Sequence, residues 1–442
     1  MPSDPTSAAV LSPHLWLPFT PNRDFARQPK ILAAASGVHY RDTAGRPILD
    51  GSSGLFSVAA GHGREEIVRA VATQLEQLDF APTFYRAHPP GFEAARRLAS
   101  ILPEGLDRVF FVNSGSEAVD SAMKIALAYH RARGEARRTI FVSRERAYHG
   151  VNLGGLSLAG IVNNRRAFAG ALPGVPLLRH TLLPGQRFVL GEPAEGAELA
   201  DDLLRIIASH GAENIAAVFV EPIAGSTGVI VPPRGYLQRL REITRAHGIL
   251  LVFDEVITGF GRTGQAFASQ SFGVVPDLLT MAKAITNGVI PAGAVAVDRR
   301  IQQTIFDAAP EQQIEFFHGY TTGGHPVAAA AAIATLALYE REKLFERGRA
   351  LAPYFLERLA TLRELPVVAD LRGYGLLAGV EFAPDGAPGA RGYRLQQTLF
   401  DAGLHLKTTG DTAILAPPLV ATPAHVDEIV SILRRVLAAE RV

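Results

Sequence analysis

Between Arg108 and Val297 one unit recurs: a short apolar run, RVFFV, TIFVS, AAVFV, ILLVF, LLTM or AVAV, separated from the next by a helical stretch. Strands that alternate with helices make a mostly parallel sheet covered on both faces, so the expected fold class is α/β. The stretch from Arg234 to His247 shows the rule, because Tyr236, Leu237, Leu240 and Ile243 recur at helical spacing and Gly248 stops the helix just before ILLVF. In open sheets of this kind ligands collect outside the carboxyl ends of the strands. The residues that close each apolar run are therefore the first candidates for chemistry.

Outside that repeat the organisation changes. Residues 1–13 are rich in Pro, Ser and Ala and are expected to form a mobile arm. GVHYRDTAGRPILDG then alternates around a glycine-containing turn, which predicts a hairpin, with a first helix over Glu65 to Leu78. After Gly324 an Ala-rich helix from Pro326 is expected to be buried or to face another subunit. A second helix with Leu351, Phe355 and Leu359, strands near Gly375 to Phe382 and a helix from Pro423 follow. The expected division is a large domain over 65–324 and a smaller α+β unit assembled from 14–64 and 325–442. A formal charge of +1, from 44 basic and 43 acidic residues with no long block of either sign, argues against nucleic acid or an anionic membrane as the main partner. The absence of cysteine excludes disulfides and thiolate chemistry and is compatible with the cytoplasm, and neither a secretory signal nor a membrane-spanning run is recognisable.

Asp254 closes ILLVF, and Lys283 follows LLTM by one residue. A lysine and a carboxylate at one sheet edge suit pyridoxal 5'-phosphate: the lysine holds the cofactor as a Schiff base, and the carboxylate keeps the pyridine nitrogen protonated so that the ring acts as an electron sink. A phosphate cradle is offered by NSGSE, where Ser114, Gly115 and Ser116 open a helix directly after RVFFV. Free N–H groups and the helix dipole favour an anion there, although Ser114 or Ser116 could equally be plain helix caps. Tyr148 and His149 follow TIFVS, and the Tyr148 ring could stack on a pyridine face. Val256, two residues past Asp254, could cover the other face or be an ordinary core valine. Glu221 ends AAVFV and is expected to hydrogen-bond behind the site. His318 and His325 read as structural, and no metal site is expected.

An ordered series of segments resembles the class III, fold-type I aminotransferases, and within them the ω-amino acid:pyruvate (β-alanine:pyruvate) transaminases. The series runs HLWLPFT, AGHGREEI, RVFFVNSGSEAVDSAMKIALAYHRARGE, ERAYHG, FVEPIAGSTGV, FDEVITGFGRTG, MAKAITNG, FFHGYTTGGHPVAAAA and TGDTAILAPPL. The resemblance implies that Lys283 is the Schiff-base lysine, that Asp254 pairs with the ring nitrogen, that Gly115 and Ser116 bind phosphate, and that Tyr148 and Val256 sandwich the ring. It also implies that Thr321 reaches the phosphate of a neighbouring subunit, hence a homodimer, with a tetramer left open, and ping-pong transfer from an amine donor to a keto acid.

Two departures bear on substrate. Relatives that accept both an ω-amine and an α-keto acid commonly carry an arginine where this chain has Lys407, which keeps the charge but loses the planar fork. Arg86 stands where relatives often have an apolar residue, and could bind a carboxylate or bridge a dimer surface. Phe56, where relatives often carry Trp, is expected to shape the substrate pocket with Tyr85; either could also be a core aromatic. A decarboxylase or aminomutase would use the same lysine and aspartate. GFGRTG also fits the nicotinamide-binding glycine pattern, but no clean helix follows its third glycine and that rival leaves Lys283 unexplained.

Overall fold

The computed structural model describes residues 14–168, 172 and 174–440, and the expected arm lies outside them. All six apolar runs are strands of one seven-stranded sheet, ordered Arg108–Val112, Gly293–Val297, Leu278–Met281, Leu250–Asp254, Ile215–Val220, Ile140–Arg144 and Leu177–Leu178. The last five run parallel to one another. Gly293–Val297 is antiparallel to both neighbours, which restores Arg108–Val112 to the common direction. Ile215–Val220 and Leu250–Asp254 are buried along their whole length, as continuous apolar strands in a sheet covered on both faces should be. Six carboxyl ends, those of Val112, Arg144, Leu178, Val220, Asp254 and Met281, therefore share one edge.

The expected hairpin is present as His39–Asp42 and Pro47–Asp50, within a four-stranded sheet that also contains Leu32–Ser36. Its fourth strand is Leu404–His405, which pairs in parallel with Leu49 and Asp50. The two ends of the chain thus meet in one sheet. A second antiparallel sheet, Val368–Tyr374, Leu377–Phe382, Thr412–Leu415 and Lys407–Thr409, continues from it. The Ala-rich helix Pro326–Arg341 starts with His325 accepting from the Val327 N–H and is buried over ten of its residues, its small side chains letting Glu65–Gln77 and Pro89–Ile101 pack close.

Candidate active site

The shared edge brings the predicted residues together. Asp254 ends its strand, and its two oxygens are both held: Oδ2 by His149 Nδ1 at 2.8 Å and Oδ1 by the Val256 N–H at 3.2 Å. Because a carboxylate only accepts, His149 donates through Nδ1; its Nε2 is buried without a partner. Glu221 accepts from the Tyr148 N–H at 3.0 Å and the Gly225 N–H at 3.3 Å, which fixes the segment that carries the Tyr148 ring. Burial pushes the Glu221 carboxyl up to about 7, the neighbouring charges of His149 and Asp254 opposing each other. Burial likewise pushes the Tyr148 phenol up, with Asp254 and Glu221 adding to the rise.

Lys283 opens the turn Lys283–Thr286 in the left-handed region, with φ of 50°. A non-glycine residue keeps that conformation only where its surroundings over-determine it. Burial draws its amine down to about 8 against the pull of Asp254, while Lys407 adds to the fall and Glu221 resists it. These interactions place Lys283, Asp254, Glu221 and Lys407 in one electrostatic environment. Lys407 is itself partly buried, and the desolvation lowers its pKa.

The helix Gly115–Ala132 begins beside this group. Ser114 is its N-cap, its Oγ accepting from the Glu117 N–H at 3.2 Å, and Glu117 reaches back to the Asn113 N–H at 2.7 Å. Ser114 thus caps the helix through an oxygen lone pair while keeping its own hydroxyl proton. Ser116 faces elsewhere: its Oγ accepts from the Val151 N–H at 3.0 Å, leaving its own proton to donate. Gly115 lies against Val256, since a Cβ there would stand 3.0 Å from Val256 Cγ1. A helix N-terminus, the apolar Val256, a carboxylate and a lysine of lowered pKa thus converge, and this set fits pyridoxal phosphate.

The remaining predicted residues differ in placement. Phe56 ends the segment Ser53–Phe56, which packs against the Lys283–Thr286 turn, and is itself 3% exposed within the apolar cluster that includes Val229, Ile257, Leu377 and Ile414. Tyr85 is 80% exposed, so the core alternative fails for it, and Arg86 is exposed with its guanidinium on the Tyr85 carbonyl at 2.7 Å. Thr321 is also exposed. These three share a face, because Thr83 Oγ1 donates to the Gly323 carbonyl at 3.0 Å and His88 Nε2 to the Gly324 carbonyl at 2.7 Å. His318 and His325 make structural contacts, to Ser121 Oγ and the Val327 N–H. The glycines of GFGRTG do not serve a nucleotide: a Cβ at Gly261 would meet Phe345 and Leu419, and the helix that follows, Ala268–Ser271, has four residues.

Sequence reasoning passed over Asn287. Its side chain accepts from the Ala60 N–H and donates to the Gly61 carbonyl, both at 2.8 Å, fastening the Lys283 turn to the N-terminal unit. The signal was there in TNG, since asparagine before glycine favours the left-handed conformation that it adopts, with φ of 53°.

Residues 23–437 match the family model for class III aminotransferases. An ω-aminotransferase of Caulobacter vibrioides is 52% identical over 424 residues, 96% of each chain. A β-alanine–pyruvate aminotransferase of Pseudomonas aeruginosa is 46% identical over 94% of this chain and 93% of its own. Among solved structures, the ω-transaminase of Pseudomonas jessenii in complex with PMP superposes with a TM-score of 0.91 at 33% identity, covering 96% of both chains. Family, fold and site chemistry agree: the chain belongs to the class III aminotransferases, enzymes that depend on pyridoxal phosphate.

Proposed function

We propose that the enzyme moves an amino group from an ω-amino acid or related amine, such as β-alanine, to pyruvate or a similar keto acid, by a ping-pong route in a homodimer. The observation that carries the chemistry is the convergence of Lys283, Asp254 and Glu221 at one sheet edge, with Lys407 beside them. The substrate class is supported by the β-alanine–pyruvate and ω-amino acid–pyruvate relatives.

Pyridoxal phosphate, when bound, supplies a carbonyl that takes up the amine and a ring that accepts the electron pair as the substrate C–H proton leaves. Lys283 anchors it and, once its amine is released, holds and moves that proton at Nζ, a role suited by a pKa drawn down to about 8. Asp254 holds a negative charge at the pyridine nitrogen and is kept in place by His149 Nδ1. Gly115 and Ser116 hold the phosphate, and Tyr148 and Val256 cover the two ring faces. Phe56 shapes the substrate pocket, and Lys407 offers a cation to the keto-acid carboxylate.

The homodimer assigns the exposed face. Thr321, Tyr85 and Arg86 project from joined loops, beside the large apolar side chains Phe84 and Phe317, the latter 82% exposed. In the proposed dimer that face covers the neighbour's site, with Thr321 on its phosphate and Tyr85 and Arg86 at its substrate mouth. The test is the visible absorption of the loaded enzyme on adding β-alanine and then pyruvate. Loss of the lysine-bound cofactor band with the amine, reversed by the keto acid, is expected; a band that no amine discharges would sink the transaminase assignment.

A further inference from the structure

Arg262 is a buried cation that the reaction leaves without a role. It is 2% exposed and makes no ion pair among the described residues: Nη1 donates to the carbonyls of Pro417 at 2.6 Å and Leu376 at 3.3 Å, and Nη2 donates to Ser53 Oγ at 3.2 Å. A guanidinium buried on neutral acceptors is costly, so what it holds matters. It joins the turn at Leu376, the loop at Pro417 and the short segment after strand Pro47–Asp50. On the other side of that segment Asp50 is fully buried, accepting from the Ser52 N–H at 3.1 Å, the Gly54 N–H at 2.7 Å and His62 Nε2 at 2.8 Å.

Between these two charges the backbone is strained. Ser53, Gly54 and Phe56 have φ of 48°, 68° and 66°, a run that L side chains keep only under external restraint. The segment has two outputs. Phe56 is its last residue, and Ser52 Oγ accepts from the Lys407 N–H at 3.3 Å while donating to the Ile414 carbonyl at 2.8 Å. One short loop thus sets both an apolar wall and the backbone of the cation beside Lys283.

We propose that Arg262 and Asp50 are positioning residues for substrate specificity, clamping Ser52–Phe56 in its strained form and thereby fixing Phe56 and Lys407 relative to each other. The inference rests on the placement of Phe56 and Lys407 in the substrate pocket. It accounts for a buried arginine in a glycine-rich stretch that binds no nucleotide, and for Ser53, whose Oγ accepts from Arg262 and donates to the Ala416 carbonyl at 2.7 Å.

The test uses the full-length enzyme loaded with pyridoxal phosphate, as wild type, Arg262→Gln, Arg262→Lys and Ser53→Ala. Hydrogen exchange over residues 51–58 is followed first, because the Gly54 amide donates to Asp50 Oδ2 and those of Phe56 and Ser57 donate to the Ser52 and Ser53 carbonyls. Faster exchange there is expected in all three variants. Kinetically, the pyruvate KM should rise about tenfold in Arg262→Gln, the scale of one buried charged hydrogen bond, and less in Arg262→Lys. kcat should fall by less than KM rises, and a bulky arylalkylamine should gain on β-alanine in kcat/KM. Unchanged exchange, or kcat, KM and cofactor binding failing in parallel, would overturn the clamp. If the arginine variants do not fold, Ser53→Ala decides alone. A wild-type enzyme that passes no amine to any keto acid would instead overturn the functional assignment, and the specificity half with it, while exchange would still decide whether the clamp exists.

Discussion

Two regions of the molecule contrast. The catalytic group around Lys283 is finished within one chain: Asp254 has both oxygens engaged, Glu221 has two N–H donors, and the Lys283 turn is fastened by Asn287. The face formed by Thr83–His88 and His318–Gly324 is bound together internally, yet the side chains of Tyr85, Phe84 and Phe317 on it are exposed in the single chain. The first region sits at strand ends, where a rigid sheet fixes each residue. The second sits on loops. Covalent and proton chemistry thus need the precision of the sheet, whereas the expected phosphate and substrate-mouth contacts are of a kind that another subunit can bring.

The contrast breaks most sharply at the lysine. Lys283→Ala should lower turnover by at least about 10³-fold, the scale of losing a positioned proton carrier and anchor together, and should abolish the lysine-bound absorption band. Retained turnover would mean that the finished group is not the reacting one. The pH dependence carries a sign. Burial lowers the Lys283 pKa from the usual lysine range to about 8, so its charged form is disfavoured in the folded state. The neutral amine, which captures the cofactor, grows as pH rises through about 8, and reconstitution of cofactor-free protein should accelerate over that window. The same burial costs stability as pH falls toward 8, where the folded protein must take up the proton. Glu221 acts in the opposite window: with a carboxyl raised to about 7, its protonated form favours the fold below the ordinary carboxylate range, and that contribution is lost as pH rises through about 7. Asp254→Asn should cost about 10²-fold in kcat, as removal of one preorganised charge does elsewhere, and His149→Gln less, since His149 only orients the carboxylate.

The same contrast explains what the sequence made legible. Asp254, Glu221, Tyr148 and Lys283 could be read because each closes an apolar run or follows one within a few residues, and the end of a buried strand is a place with a defined environment. Strand Leu32–Ser36 escaped notice because LAAAS is mostly exposed and alanine-rich, with neither alternation nor β-branching to mark it. The pairing of Leu404 with Leu49 joins residues hundreds of positions apart, which no local pattern records. Arg262 was visible inside GFGRTG but its burial was not, because what surrounds it comes from Ser53, Leu376 and Pro417. Ser114 shows the limit from the other side: the motif could not separate a cap from an anion ligand, and the structure shows the cap, made through an oxygen lone pair that leaves the hydroxyl proton for the second role.

At the substrate end, effects should be smaller. Lys407→Ala should raise the pyruvate KM about tenfold, within the value of a hydrogen bond to a charged group. If Arg86→Ala does so and Lys407→Ala does not, the carboxylate is held from the exposed face rather than from the pocket that holds Lys283. Either result sharpens the boundary between the two regions; if neither variant moves KM, the proposed carboxylate site is wrong.

The smallest effect decides whether that boundary is also a subunit boundary. Thr321→Ala should weaken cofactor retention about fivefold, as loss of one hydroxyl contact would. Mixing it with Lys283→Ala tells more than the single variant does. In a hybrid dimer one subunit keeps Lys283 and lacks the Thr321 hydroxyl, while the other has the hydroxyl and lacks the lysine. If Thr321 acts across the interface, the one live site is intact and binds cofactor with wild-type affinity. If it acts within its own chain, or not at all on the phosphate, the live site of the hybrid binds no better than Thr321→Ala itself. Isolating the hybrid with two affinity tags and titrating the cofactor separates the two outcomes, because the exposed position of Thr321 predicts the first and a merely structural hydroxyl predicts the second.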